Sequence, residues 1–396
     1  MNLNPLIPFI DASVNSWAAE ARWLRWLTLV WLGLGLLVLF SASYPVAIYQ
    51  RGNGFHYVMI QSLWIGLGLY GFNWIAKTPL EKMFKLSGTL VLIFLVLIGL
   101  TLIPALGVTV NGATRWLALG PFLLQPSELI KPCLVLQAAR LFGRWHQLTW
   151  LTRGAWLMIF AVILAAVLLQ PNLSTAAVIG LTLWLVALGS GMPFRYLTAT
   201  AAMGGIAALI SIRLNPYQGD RIVSFLNPWA DPTADGYQLI QSLLAIGSGG
   251  LWGQGFGFSQ QKLLYLPIQY TDFIFAVFAE EFGFIGCLVL LTLLIAYTAL
   301  SMRIALQATQ SLHRLVAVGA MTLLVGQALL NIGVATGALP TTGLPFPMLS
   351  YGGSSMLASL ATAGLLVRTA RESKGDNIVE LPVRRRNWRV IPGQRS

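Results

Sequence analysis

Asp272, Glu280 and Glu281 stand in YTDFIFAVFAEEFGFIG (270–286), a stretch that otherwise reads as the start of an apolar helix. Inside a lipid span an ionisable side chain costs a few kcal/mol, so each acid is a candidate for function, weighed against structural pairing. Positions 272, 276, 279, 283 and 286 fall on one stripe at helical spacing and read Asp, Ala, Ala, Gly, Gly. The stripe predicts a smooth face for a neighbouring helix or a lipid chain, headed by one acid. At the water boundary beneath a long loop, Asp272 is the acid best placed to meet a polar substrate. A Thr-Asp step before an apolar run equally suits a plain helix cap, and spacing alone leaves both roles open. Glu280 and Glu281, two turns deeper and off the stripe, fit structural or substrate-channel roles.

A second charged pair lies in QPSELIK (125–131), where Glu128 and Lys131 are three apart and share a helix face on which they can pair. Metal chemistry through histidine is disfavoured, because His56, His146 and His313 are scattered with no HExxH spacing. Cys133 and Cys287 are isolated and read as small packing residues. The glycines of GSGGLWGQGFG (247–257) precede no GK[ST], so they predict tight turns rather than a phosphate loop.

The elements that must position these residues follow from composition. With 56% hydrophobic and 10% charged residues, the 396-residue chain is too apolar for a soluble domain, and lipid must be its solvent. Ten apolar windows recur, at about 24–43, 57–76, 86–104, 127–142, 155–170, 174–190, 196–214, 272–299, 313–337 and 349–370. The fold class predicted is therefore an all-α polytopic membrane protein. The net charge of +12 sets topology rather than binding nucleic acid: 19 of 25 Lys and Arg fall on one side if the N-terminus is cytoplasmic. Both termini are then cytoplasmic. The organisation expected is an arm over 1–23, a transmembrane domain over 24–370 and a basic tail over 371–396, whose RRRNWR reads as a topology signal. The segment 215–271 falls outside between the seventh and eighth spans. Its aromatic, mixed-charge composition predicts a structured cap with a helix near 236–247. The turn-rich segment 107–128 lies on the same side, and the two together are expected to form one site.

TDFIFAVFAEEFGFIG, QPSELIK, FLNPWADP (225–232), GYQLIQSLLAIGSGGLWGQG (236–255) and GLPFPMLSYGGSS (343–355) resemble, in order, the motifs of the SEDS family of bacterial shape, elongation, division and sporulation proteins. NGATRW (111–116) and SQQKLLYLP (259–267) are more similar to the division, FtsW-type branch than to the elongation, RodA-type branch. The resemblance implies a peptidoglycan glycosyltransferase that polymerises lipid II on the outer face of the bacterial inner membrane during cell division. It also implies a class B penicillin-binding transpeptidase and other division proteins as partners. It makes Asp272 the catalytic residue, which overrides the capping alternative. It also carries Glu128, Lys131, Arg221 and the segment Ser350 to Ser355, with Ser354, over to the lining of a central cavity; Glu280 is added as a candidate substrate contact.

The chemistry implied is attack of a sugar 4-hydroxyl on an anomeric carbon that bears a lipid diphosphate. Asp272 would accept the proton, with burial raising its basicity. Diphosphate departs as a stabilised anion, so a second acid is unnecessary. Cations are needed instead, and Arg115, Lys131 and Arg221 are the best placed, with Mg²⁺ or Mn²⁺ a plausible addition whose ligands the sequence does not identify. The chain departs from the family at Ile268 and Tyr270, where others carry an acid and a histidine, at Asn172, where others carry aspartate, and at Thr342, where some carry lysine. Two rivals fit the same ten spans: a lipid II flippase and a non-catalytic division scaffold.

Overall fold

The computed structural model describes residues 12–110, 113–120, 122–234 and 236–373. The basic tail beyond 373 and the first eleven residues of the arm lie outside the described residues, as do Asn111 and Gly112 of NGATRW. The chain is dominated by helices: α1 (Ala19–Arg51), α2 (His56–Lys77), α3 (Leu80–Thr101), α4 (Pro126–Gly143), α5 (Trp150–Leu169), α6 (Leu173–Gly189), α7 (Phe194–Leu214), α8 (Pro216–Leu226), α9 (Tyr237–Gly249), α10 (Ile274–Gln307), α11 (Ser311–Met321), α12 (Gln327–Ala335) and α13 (Gly353–Ser373). Seven helical stretches are long and apolar enough to cross a membrane, the α11–α12 stretch counting as one, and α6 is a shorter apolar helix. The chain is a multi-pass membrane protein.

Local sequence sets the helix limits. Gly52, at φ 67°, ends α1 in the left-handed conformation, and Pro126 and Pro216 open α4 and α8 where a missing N–H costs nothing. Asn172 caps α6 by accepting the Thr175 N–H at 3.3 Å. This is the role left to the residue that stands in place of the family aspartate.

Lipid offers no hydrophobic drive between helices, so close packing and internal polar bonds must hold the bundle. α4 and α13, though comparatively polar, are almost wholly buried and form the centre, with α13 packed on α1, α2, α4 and α11. One core cluster joins α1, α10 and the segment before α13, where Trp31 meets Tyr297 and Phe346 edge-on at 5.5 and 6.3 Å. A second lies between α3, α4, α5 and α6.

Two expectations are corrected. The 107–128 segment is not merely turn-rich: it forms an antiparallel sheet, β1 (Gly107–Val110), β2 (Ala113–Leu119) and β3 (Phe122–Leu124), ordered β1-β2-β3. The fold is thus not purely α. Val110 pairs with Ala113, and the Asn-Gly between them is the strongest short hairpin signal a sequence offers. The small-residue stripe is not one continuous face either, because α10 breaks at Gly283 (φ 63°, ψ −166°), so the helical register of Ala276 and Ala279 does not run on to Gly286. The ninth window holds as one apolar helical stretch, Ser311–Ala335, with a π-turn at Thr322–Gly326 inside it.

The break in α10 is filled by the glycine-rich turn. Gln254 and Gly255 donate their N–H groups to the carbonyls of Glu280 and Glu281 at 2.9 and 3.0 Å. Phe284 and Ile285 donate theirs to Gly250 and Leu251 at 2.9 and 3.1 Å. Four backbone groups of α10 at the break are thereby satisfied, as a non-aqueous surrounding requires. Gly253, at φ 80°, lies so close to the Glu281 carbonyl that no β-carbon fits.

The candidate active site

Asp272 lies in the turn immediately before α10, not on the helix. The N-cap position falls to Phe273 and no side-chain cap bond is made, so the capping alternative is not realised. Three consecutive carbonyls are gripped by the segment around α12 and α13. Tyr351 N–H donates to Tyr270 at 2.9 Å, Ser350 Oγ to Thr271 at 2.5 Å and Asn331 Nδ2 to Asp272 at 2.8 Å. Ser350 Oγ also accepts the Phe346 N–H at 2.8 Å, and Asn331 Nδ2 also reaches Leu344 O at 2.8 Å. Tyr270, which replaces the family histidine, stacks on Tyr57 with ring centres 4.9 Å apart. The backbone under the carboxylate is therefore pinned by groups from α2, α12 and the loop before α13.

Arg221 approaches the carboxylate from α8. A β-carbon built on Gly343 would stand 3.5 Å from Asp272 Oδ2 and 3.8 Å from Arg221 Nη1, so both side chains border this glycine. Arg221 is held by Nη1 to Thr341 O at 3.1 Å and by Nη2 to Tyr217 Oη at 2.5 Å, with its guanidinium over the Tyr217 ring. Arg115 comes from β2, its Nε and Nη2 donating to the carbonyls of Gln170 and Pro171 at 3.2 and 2.5 Å. Thr342 offers only its carbonyl, which accepts from Ser174 Oγ at 2.9 Å. The site is thus assembled from the segment before α10, α8, the small sheet and the loop before α13.

Burial pushes the Asp272 carboxyl up to about 6, against the pull of Arg221 first, then Arg115 and a hydrogen bond from Thr271. Burial, and then the charge of Arg221, also lowers Arg115, while Tyr217 and Asp272 oppose that change. One half-buried carboxylate with basicity near neutrality, beside two cations fixed by carbonyls, is equipped to take a proton next to a bound anion.

The other expected residues are distributed differently. Glu128 and Lys131 do pair, at 2.5 Å, and both are 3% exposed or less. Lys131 also reaches Gln327 Oε1 at 3.0 Å, and Gln327 Nε2 donates to Pro345 O at 2.8 Å, so this pair braces the loop that carries Gly343. Beside Lys131 is a cavity of about 10 Å³, room for one water, lined also by Leu134, Ile179, Thr182, Leu183 and Leu323. Ser350 grips backbone, as above. Ser354 Oγ accepts the Gln125 N–H at 2.9 Å and ties the start of α13 to that of α4, while Ser355 is buried in the first turn of α13. The Glu280 carboxylate is engaged by residues 259–261 rather than presented toward Asp272.

Sequence reasoning missed Asn331, Gln327 and Tyr217. For the first two a signal existed, amides inside an apolar window, because an amide in lipid needs a protein partner. Among the described residues no three His, Cys, Asp or Glu side chains converge. Around Asp272 the protein supplies one carboxylate and two guanidinium groups, which does not make a resident metal centre.

The chain is similar to known proteins. Residues 22–375 match the family of cell cycle proteins that groups FtsW, RodA and SpoVE. The chain is 54% identical over 379 residues, 96% of either chain, to the Synechocystis protein named "Probable peptidoglycan glycosyltransferase FtsW". It is 36% identical to stage V sporulation protein E of Bacillus subtilis, over 88% of this chain and 96% of that one. Among solved structures it is similar to a chain from a peptidoglycan synthase complex that coordinates polymerization and crosslinking, with a TM-score of 0.71 and 30% identity over 89% of this chain and 98% of that one. It is also similar to the rod shape determining protein RodA of Thermus thermophilus, with a TM-score of 0.65 and 30% identity over 90% and 98%.

Proposed function

Because the chain belongs to the cell cycle protein family that groups FtsW, RodA and SpoVE, we propose that it is a peptidoglycan glycosyltransferase that polymerises lipid II, with Asp272 as its general base. What supports the base assignment is the Asp272 carboxylate on a backbone pinned at residues 270–272, bordering Gly343 with Arg221 and under the charges of Arg221 and Arg115, with burial raising its basicity. In the reaction an acceptor sugar 4-hydroxyl forms a bond to the donor anomeric carbon and the bond from that carbon to the diphosphate oxygen breaks. The hydroxyl proton passes to Asp272, and the electron pair leaves with the lipid diphosphate. Arg115 and Arg221 bind the diphosphate and stabilise its developing charge. Direct displacement inverts the donor linkage. A divalent cation would add positive charge beside the diphosphate, with Asp272 the one carboxylate of the protein there to hold it. Glu128 and Lys131 support the site through Gln327 and Pro345.

The chain is placed in the bacterial inner membrane at the division septum, with ten spans, both termini cytoplasmic and the 215–271 segment as an outer cap. The excess of Lys and Arg on one side and the ten apolar windows support this topology. The similarity to a chain of a synthase complex supports a penicillin-binding transpeptidase as partner. The test is the purified protein with that partner, labelled lipid II and Mg²⁺ or Mn²⁺, beside Asp272→Ala shown to be folded. Glycan from the wild type alone is expected. Glycan from both overturns the base assignment, and glycan from neither favours a flippase or a scaffold.

A further inference from the structure

Glu280, Glu281 and Lys262 have no part in that chemistry, yet each is at least 95% buried. Lipid-facing structure does not retain three buried charges without a use, and their partners are specific. The Glu280 carboxylate accepts from Ser259 Oγ at 2.5 Å and from the N–H groups of Gln260 and Gln261 at 2.9 and 3.3 Å. Glu281 Oε1 accepts from Lys262 Nζ at 2.6 Å and from Ser41 Oγ of α1 at 2.5 Å, and Lys262 Nζ also donates to Ser41 Oγ at 2.7 Å. Lys262 is therefore not an ordinary loop cation. Its carbonyl in turn accepts from Gln269 Nε2 at 3.1 Å, and Gln269 is itself buried.

The segment so held, 259–271, leads directly into Asp272. It is made of turns rather than helix or strand, and Leu264 and Ile268 adopt φ of 70° and 55°, a region side chains avoid. Such a segment does not keep its path by itself. Its far end is gripped at the carbonyls of 270–272, and its near end by the two glutamates, whose own carbonyls receive the glycine-rich turn at the break in α10. A buried ion pair is a poor source of stability but a strict selector of arrangement, because neither charge tolerates any position without its partner.

We propose that Glu280, Glu281, Lys262 and Ser41 form a latch that positions Asp272 by fixing the path of residues 259–271 against α1 and the broken α10. The latch rests on the assignment of Asp272 as general base only for its effect on rate, not for its effect on the segment. The test uses the full chain with its transpeptidase partner and compares wild type, Lys262→Met, Lys262→Arg and the double variant Lys262→Met with Glu281→Gln. Hydrogen–deuterium exchange over 259–272 and the kcat and KM for lipid II are measured together.

Lys262→Met is expected to speed exchange over 259–272 while α2 and α13 keep theirs, and to lower kcat on the order of 10²-fold with KM changed less than about two-fold, as a misplaced catalytic group does. Lys262→Arg restores both in large part. The double variant carries no uncompensated buried charge, so it folds, and it remains loose and slow. Unchanged exchange in the folded variants overturns the latch whatever the rates. Faster exchange with an unchanged kcat, or a double variant with wild-type kcat, overturns the positioning role. If the wild type makes no glycan while exchange responds as expected, the glycosyltransferase assignment falls, and the positioning of a catalytic base falls with it.

Discussion

Replacing Arg221 by glutamine removes the charge that most opposes the rise of the Asp272 carboxyl. The two side chains both border Gly343, and at a separation of no more than roughly 7 Å with an effective dielectric of about 20 their attraction is at least about 2 kcal/mol. At about 1.4 kcal/mol per pH unit, its loss moves the carboxyl from about 6 to between roughly 7 and 8. The assay is the pH dependence of kcat/KM, which reports the free enzyme and hence the arrangement described here. Activity in the wild type is expected to rise through about pH 6 as the base ionises. In Arg221→Gln the rise comes one to two pH units later, so near pH 6.5 the variant loses roughly a further ten-fold beyond any uniform loss. That uniform loss, from weaker diphosphate binding, lowers the whole profile without displacing its inflection. Arg221→Lys keeps a charge and keeps the inflection near its original place. An inflection that stays near pH 6 in Arg221→Gln would refute the electrostatic coupling. A wild-type profile flat through this range would refute the base.

Thermal melting of Asp272→Asn in detergent should diverge from the wild type as pH rises. The folded-state carboxyl is raised from 3.8 to about 6, so the stability it contributes is complete below pH 3.8 and is lost as pH climbs through about 6. Above pH 6 the asparagine variant is then more stable by roughly 2 to 3 kcal/mol, and equal melting across the range would count against a buried acid. Ser350→Ala removes the bonds to Thr271 O and Phe346 N–H, which should cost about 1 to 3 kcal/mol and lower kcat more than it changes KM. Lys131→Met leaves Glu128 buried and alone, an expected loss of roughly 3 to 5 kcal/mol that Glu128→Gln in the same chain should largely recover. Gly253→Ala sets a β-carbon against the Glu281 carbonyl at φ 80° and should lower the melting temperature and loosen the break in α10, whereas an unchanged melt would show the close approach to be dispensable.

The departures from the family pattern acquire physical substitutes. Tyr270 offers a ring to Tyr57 and Tyr351 where a histidine would offer a titrating nitrogen, so its contribution is to hold the backbone beside the base. Asn172 caps α6, a role that needs only an acceptor oxygen. Thr342 contributes its carbonyl, for which the side chain is immaterial. Each position retains a backbone function after losing a charge, and the cations near Asp272 come instead from Arg115 and Arg221.

Composition and periodicity by themselves determined that the chain lives in lipid and where most helices run, because an apolar run of twenty residues has no other stable use. The acid at the head of the eighth apolar window and the Glu128–Lys131 pair were equally legible, since a charge in an apolar window stands out and a three-residue spacing fixes a shared face. Tertiary structure alone decided the rest. Gly283 looked like one more small residue on a stripe, and only the docking of the 250–255 turn made it the place where α10 breaks. Glu280 and Glu281 looked alike as deep acids, and only contacts with Ser259, Lys262 and Ser41, some 20 to 240 residues away in the chain, gave each its partners. Arg115 and Arg221 meet Asp272 because a sheet, a short helix and a loop converge at one end of the bundle. Local sequence carries the cost of burying a charge; where its compensating partner stands is a property of the folded chain.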